Sequence, residues 1–186
     1  MTQTLDQHLS PSNRPWRTIL WLAAAALLLV PLVAMQFTAE VRWTASDFVF
    51  AGVLLFGSLG TFELFTRRST RIAYRAGIGL TLLGIVLLVW INAAVGIVGS
   101  EDNPANLMFA GVIGIGAIVA LATRLHAHGM VSATLAMALT QLLVGGIALS
   151  GIAGPVGASG PAIVGLTIGL AGLWIGAATL FGRASR

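Results

Sequence analysis

Long apolar stretches alternate with short polar ones along this chain of 186 residues. A helix that rises about 1.5 Å per residue needs roughly 20 apolar residues to cross a hydrocarbon core of about 30 Å. Six stretches come close to that length and predict transmembrane helices: 18–37, 48–65, 76–98, 107–123, 130–153 and 161–181. The pattern therefore predicts an all-α integral membrane protein. A polar tail, 1–16, precedes a single transmembrane domain, 17–183, and a short tail, 184–186, follows it.

Two of these boundaries leave alternatives open. Basic residues precede the first apolar stretch, as they do in a signal peptide, but cleavage after Ala34 or Ala39 would place Leu32 or Phe37 where a small residue is needed. We therefore expect a retained first helix. Only GPVGASG separates the fifth stretch from the sixth, so a merged or re-entrant hairpin is the alternative to two full spans.

The charges indicate how the helices are oriented. All ten cationic residues are arginines, and cytoplasmic loops of membrane proteins are enriched in Lys and Arg. One side of the predicted membrane carries only Arg42, together with Glu40, Asp47, Glu101 and Asp102. Nine arginines lie on the other side, next to the apolar stretches: Arg14, Arg17, Arg67, Arg68, Arg71, Arg75, Arg124, Arg183 and Arg186. This partition predicts that both termini are cytoplasmic. It also indicates that the arginines set the membrane orientation and do not form a nucleic-acid-binding surface.

Composition agrees with a membrane protein and removes one class of chemistry. The chain is 57% hydrophobic and 9% charged, with a mean hydropathy of +0.94, whereas soluble domains are roughly 45–50% apolar and about 25% charged. It contains no cysteine, which excludes disulfides, thiolate metal sites and cysteine nucleophiles.

Small residues form stripes on two of the predicted helices. The third helix repeats a set of mostly small residues at intervals of three or four residues: Gly77, Thr81, Gly84, Leu88, Asn92, Gly96 and Gly99. The sixth does so with glycines: Gly165, Gly169, Gly172 and Gly176. Such stripes let helices approach closely in lipid, so we interpret both as packing surfaces within the protein. The alternatives are a glycine-lined substrate path and a dimer seam. Apart from the lipid bilayer, the partner that the sequence allows is a second copy of the chain or another membrane protein.

Three polar residues inside the apolar stretches form a candidate polar path: Glu63, Asn92 and Gln141. An ionisable side chain within the membrane is a functional hypothesis by default. Glu63, however, precedes Arg67 by four residues, the favourable order for an ion pair on a helix. Gln141 shares a helix face with Thr134 and Gly145, and we expect that face to point into the protein and its amide to hydrogen-bond between helices.

The predicted outer surface carries a second cluster: Asp47, Glu101, Asp102, Asn103 and Asn106. Carboxylate and amide oxygens bind calcium, but no spacing here matches a calcium-binding loop, so we expect solvated loop residues and no metal or other cofactor. The alternative is a site for a cation or a small polar ligand. Asn103 followed by Pro104 is typical of a helix start, with the asparagine as N-cap and the proline at the first helical position.

Residues that could perform catalysis are scarce. There is no GxSxG, HExxH or DxD motif, which predicts a protein that is not an enzyme. The five tryptophans, including Trp174, are interpreted as anchors at the membrane surfaces.

The stretch WINAAVGIVGSEDNPANLM, within residues 42–150, resembles a family of small multi-pass proteins of the bacterial inner membrane. The resemblance implies that location, with the lipid bilayer as the surroundings, and assigns no catalytic or binding residue. Our expectation is a non-enzymatic accessory or assembly component. The alternative is a small transporter or ion-coupled permease, oligomeric if one copy is too small to enclose a path.

Overall fold

The structure is a computed structural model that describes residues 15–67, 69–152 and 160–186, and all regular elements in these ranges are helical. Six helices are each long and apolar enough to cross a membrane. This part of the chain therefore has the architecture of a multi-pass membrane protein. The helices are α1 (Pro15–Ala34), α2 (Ala45–Thr66), α3 (Ile72–Ala94), α4 (Met108–Ala122), α5 (Ala127–Leu149) and α6 (Gly160–Ala184), and a 3₁₀ turn, Pro104–Leu107, precedes α4.

The end of α3 differs from the predicted boundary by four residues. The apolar run continues to Val98, but the helix ends at Ala94 because Gly96 and Gly99 have φ angles of +70° and +72°. This left-handed conformation favours glycine and ends helices. The apolar Ile97 between these glycines is buried in a loop rather than exposed to lipid. At the other boundaries, residues 1–14 and 153–159 lie outside the described part of the chain.

The described residues fall into two compact units that divide between Gly60 and Thr61. In the first unit, Trp21 of α1 stacks on Phe56 of α2, with ring centroids 5.8 Å apart. The N-terminus of α2 is held by Asp47, whose carboxylate accepts hydrogen bonds from the backbone N–H and the hydroxyl of Thr44, at 2.7 and 2.8 Å.

The second unit contains α3 to α6. Helix α6 packs against both α3 and α5, and α4 packs against α5, whereas α3 scarcely touches α4. Large side chains of α6 fill the positions left free by glycines of α3. A Cβ added at Gly77 would lie 2.9 Å from the ring of Phe181, and one added at Gly84 would lie 2.6 Å from the ring of Trp174. The predicted packing stripe on α3 is therefore confirmed at these two glycines. The prediction is wrong for Gly96 and Gly99, which lie in the loop beyond the end of α3.

The turn between α4 and α5 has an unusual backbone and is attached to α3. Arg124 and Leu125 have φ angles of 51° and 61°. Residues other than glycine seldom adopt this left-handed backbone conformation. The hydroxyl of the buried Tyr74 in α3 donates a hydrogen bond of 2.8 Å to the carbonyl oxygen of Leu125. This bond links α3 to the helices that it otherwise touches little.

Candidate functional site

The polar run GSEDNPAN belongs to a folded loop between α3 and α4. Asn106, which is buried, holds the loop together. Its side-chain Oδ1 accepts hydrogen bonds from the backbone N–H groups of Ile97 and Val98, at 3.0 and 2.8 Å. Its Nδ2 donates to the carbonyl oxygen of Ser100 at 2.6 Å. A single amide thus satisfies backbone groups that no helix or strand pairs.

A second asparagine connects this loop to α3. The Nδ2 of Asn92, in the last turn of α3, donates a hydrogen bond of 2.9 Å to the backbone carbonyl of Asn106. The loop is therefore attached to the helix before it as well as to the turn after it.

Asn103 and Pro104 take the capping roles predicted for them, but the helix that they begin is a 3₁₀ turn and not α4. Asn103 has an extended backbone, and its Oδ1 accepts a hydrogen bond of 2.9 Å from the N–H of Ala105. Pro104 occupies the first helical position. The capping prediction is confirmed, but the capped element is the 3₁₀ turn, and α4 itself begins only at Met108.

The residues of the outer cluster take different roles. Asp47 holds the start of α2 in the first unit, and Asn103 and Asn106 are engaged by the loop in the second. Glu101 and Asp102 are exposed at the tip of that loop. Among the described residues, no group of three or more His, Cys, Asp or Glu is placed to hold a metal ion.

The polar residues of the candidate path are distributed over three helices. Glu63 lies near the end of α2, and its carboxylate is 3.6 Å from the guanidinium of Arg67, which is the predicted ion pair. Asn92 lies in α3 and Gln141 in α5.

Gln141 is completely buried, as the face prediction requires. Neither its Oε1 nor its Nε2 has a hydrogen-bond partner, however, so the structure does not show the expected interhelical bond.

The second unit also contains an apolar cavity of about 220 Å³ between the end of α2 and helices α3, α4 and α5. Phe65, Ile85 and Met137 are among its lining residues, and no residue of the candidate path is. The hydroxyls of two lining threonines, Thr81 and Thr134, donate to carbonyl oxygens of their own helices, each at 2.8 Å. The wall therefore suits hydrocarbon better than a polar substrate.

The glycines of α6 do not pack inside the protein, contrary to the interpretation from the sequence. A Cβ added at Gly165, Gly169 or Gly172 would have no atom within 4 Å, and all three residues are exposed. Only Gly176, with Leu80 at 3.1 Å, is close to another helix. We call the three exposed positions the outer glycine stripe of α6.

Trp174 also differs from its interpretation as a surface anchor. It lies in the middle of α6, is completely buried, and packs on Gly84. Two features of the sequence indicate this role: the position of Trp174 well inside the predicted span 161–181, and the glycines of α3.

Comparisons with known proteins do not add an assignment. No family model, curated protein or solved structure matches this chain.

Proposed function

We propose that this chain is a non-enzymatic accessory or assembly component of the bacterial inner membrane, with both termini in the cytoplasm, and that it binds another membrane-spanning helix along the outer glycine stripe of α6. The observation that carries the proposal is the exposure of Gly165, Gly169 and Gly172 on one face of a transmembrane helix. The orientation with both termini in the cytoplasm is supported by the arginines, nine of which lie on the predicted cytoplasmic side and one on the other.

The energetics of glycine in helices support a role for this face. Each glycine in a helix interior is destabilising by roughly 0.5–1 kcal/mol relative to alanine, and these three gain no packing within the chain. The spacing of Gly165 and Gly169 is the small-xxx-small pattern through which membrane helices approach closely. A helix of another chain could pack closely against these three glycines, and that contact would offset their cost to helix stability.

The polar residues support transport less well than assembly. A path would require Glu63, Asn92 and Gln141 to line a common space, and the apolar cavity is not such a space because none of them lines it. Glu63 is paired with Arg67, and Asn92 is bonded to the loop after α3.

The proposal is tested by purifying tagged protein from native membranes under mild detergent, with and without Gly169→Leu. We expect wild-type protein to carry a second copy or another membrane protein in fixed ratio, and Gly169→Leu to lose it because leucine holds the helices apart. Gly114→Leu is the matched control, since Gly114 of α4 also has no atom within 4 Å of an added Cβ. Equal recovery of the partner with both variants, or no partner at all, would contradict the proposal.

The orientation is tested separately by single-cysteine labelling, which the absence of native cysteine makes clean. An impermeant maleimide should label Asp102→Cys in intact spheroplasts and Ser185→Cys only after permeabilisation. Both positions are exposed. Labelling of Ser185→Cys in intact spheroplasts would place the C-terminus outside and refute the six-span orientation.

A further inference from the structure

The apolar cavity of the second unit has a closed floor and an open side. Its floor is α5, whose lining residues Met130, Thr134 and Met137 are buried. On the side of α4, the lining residues Ala117 and Leu121 are exposed. Since α3 scarcely touches α4, these exposed residues border a gap between the two helices, and a membrane would place lipid chains at this gap. We call the cavity with its open side the apolar cleft.

The size and direction of the apolar cleft suit a hydrocarbon chain. Its volume is about 220 Å³, and an apolar cavity of about 150 Å³ already binds a molecule the size of benzene. Two residues of its wall, Ile113 and Leu121, are about 12 Å apart along α4 at a rise of about 1.5 Å per residue. The cleft therefore extends along the helices, as the chains of the surrounding lipid do.

The wall of the apolar cleft is unsuited to a polar ligand. Its described lining residues include no charged side chain. The hydroxyls of Thr81 and Thr134 are already bonded to carbonyl oxygens of their own helices. A polar group buried there would lose its hydrogen bonds to water, which is costly.

The arginines of the second unit lie at one end of it. This arginine end is where α2, α4 and α6 end and where α3 and α5 begin, as the hydrogen bond from Arg71 to the carbonyl oxygen of Ala184 illustrates. Of the acidic residues that the structure describes in this unit, only Glu63 lies at the arginine end, because Glu101 and Asp102 belong to the loop at the opposite end. The described arginines there are Arg67, Arg71, Arg75, Arg124, Arg183 and Arg186.

The apolar cleft reaches the arginine end at the turn between α4 and α5. Leu125 of this turn lines the cleft, and the preceding Arg124 is exposed. Phe65 also lines the cleft, and the exposed Arg67 follows it by two residues. Basic residues at the ends of membrane helices attract anionic lipid headgroups, and an arginine can donate two parallel hydrogen bonds to a phosphate.

We propose that the apolar cleft binds one acyl chain of an anionic phospholipid, with the lipid phosphate at Arg124. An apolar body with an anionic head matches both the wall of the cleft and the charge at its end, whereas an uncharged hydrocarbon would match the wall alone. The site lies among α3, α4 and α5 and is independent of the outer glycine stripe of α6. Failure of either proposal therefore leaves the other standing.

The first experiment detects the acyl chain inside the cleft by NMR. Full-length protein with ¹³C-labelled methionine methyl groups is placed in phosphatidylglycerol nanodiscs. Met130 and Met137 are only 5% and 3% exposed, so lipid outside the protein does not reach their methyl groups. We expect cross-peaks between these methyl groups and acyl-chain protons, and their loss when the lipid chains are deuterated. Met130→Leu and Met137→Leu assign the two signals.

A matched pair of substitutions on α4 tests the place of entry. Ala117→Phe puts a ring at the open side of the cleft and should remove the cross-peaks. Ala110→Phe is the control, because Ala110 is exposed on the same face of α4 two turns away and does not line the cleft. An unchanged Met108 signal shows that Ala117→Phe folds. Cross-peaks that persist in Ala117→Phe would contradict the proposal, as would their absence from the wild type, a result that needs no variant.

The second experiment tests the headgroup by native mass spectrometry of delipidated protein titrated with phosphatidylglycerol or with phosphatidylcholine of the same chains. We expect saturable retention of one phosphatidylglycerol, weakened about fivefold in Arg124→Gln. Arg186→Gln is the matched control, since it removes the same charge from another exposed arginine at the same end. Equal retention of the two lipids, or equal effects of the two variants, would refute an anionic headgroup at Arg124.

Discussion

Replacement of Asn106 by alanine should destabilise the protein more than replacement of Asn103 or Asp102 in the same loop between α3 and α4. The side chain of Asn106 accepts from the N–H groups of Ile97 and Val98, both of which are buried residues. Leaving one buried donor unpaired costs about 1–3 kcal/mol, so two unpaired donors would cost about 2–6 kcal/mol in a sealed interior. Because the loop tip is exposed, water can reach part of it, and we expect about 2–3 kcal/mol.

The measurement is the free energy of unfolding in mixed micelles, with helicity followed as sodium dodecyl sulfate is added. Asn103→Ala is the first control. It removes one hydrogen bond of a half-buried cap, for which the expected loss is about 1 kcal/mol. Asp102→Ala is the second control, and as an exposed substitution it should stay within about 0.5 kcal/mol of wild type.

Asn106→Asp separates the two halves of the interaction. It keeps an acceptor for the N–H groups of Ile97 and Val98 but places a buried carboxylate against the carbonyl oxygen of Ser100. Because burying an unpaired charge is costly, its loss of stability at neutral pH should be at least that of Asn106→Ala. If Asn106→Ala destabilises no more than Asn103→Ala, the backbone N–H groups of the loop find other partners and the central role of Asn106 is refuted.

Three further predictions concern packing, the ion pair and metal binding. Gly84→Ala should destabilise by about 1–3 kcal/mol because its Cβ meets Trp174, whereas Gly114→Ala should stabilise by about 0.5–1 kcal/mol; equal effects on unfolding would contradict the packing described. Glu63→Gln should change stability by no more than about 1 kcal/mol, since its partner Arg67 is exposed, and an ion flux in liposomes that this variant abolishes would instead favour transport. Calcium should leave the melting temperature unchanged; a saturable rise lost in Asp102→Asn would reveal a cation site.

The helices could be predicted from the sequence because each is an apolar run of nearly membrane length. The end of α3 could not, since Ile97 and Val98 continue that run in composition. They leave the helix because the glycines beside them adopt a left-handed backbone, and because Asn106, eight or more residues later, supplies the acceptor that a helix would have provided. Hydropathy does not register such a long-range hydrogen bond.

The role of a residue could be predicted where it follows from the chemistry of that residue's own side chain. The buried amide of Gln141 and the capping by Asn103 follow from the chemistry of single side chains. The location of Trp174 depends on α3, since Gly84 makes the space for its ring. The two glycine stripes look alike in sequence, yet one is filled by aromatic rings and the other is exposed, a difference that only the register of the neighbouring helices determines.

The antiparallel contact of α3 with α6 has a consequence for biogenesis. During translation α3 leaves the ribosome well before α6, so Gly77 and Gly84 are made before the rings of Phe181 and Trp174 that cover them in the finished protein. Closure of the second unit therefore waits for its last helix. A nascent chain stalled before α6 would expose an uncovered glycine groove on α3.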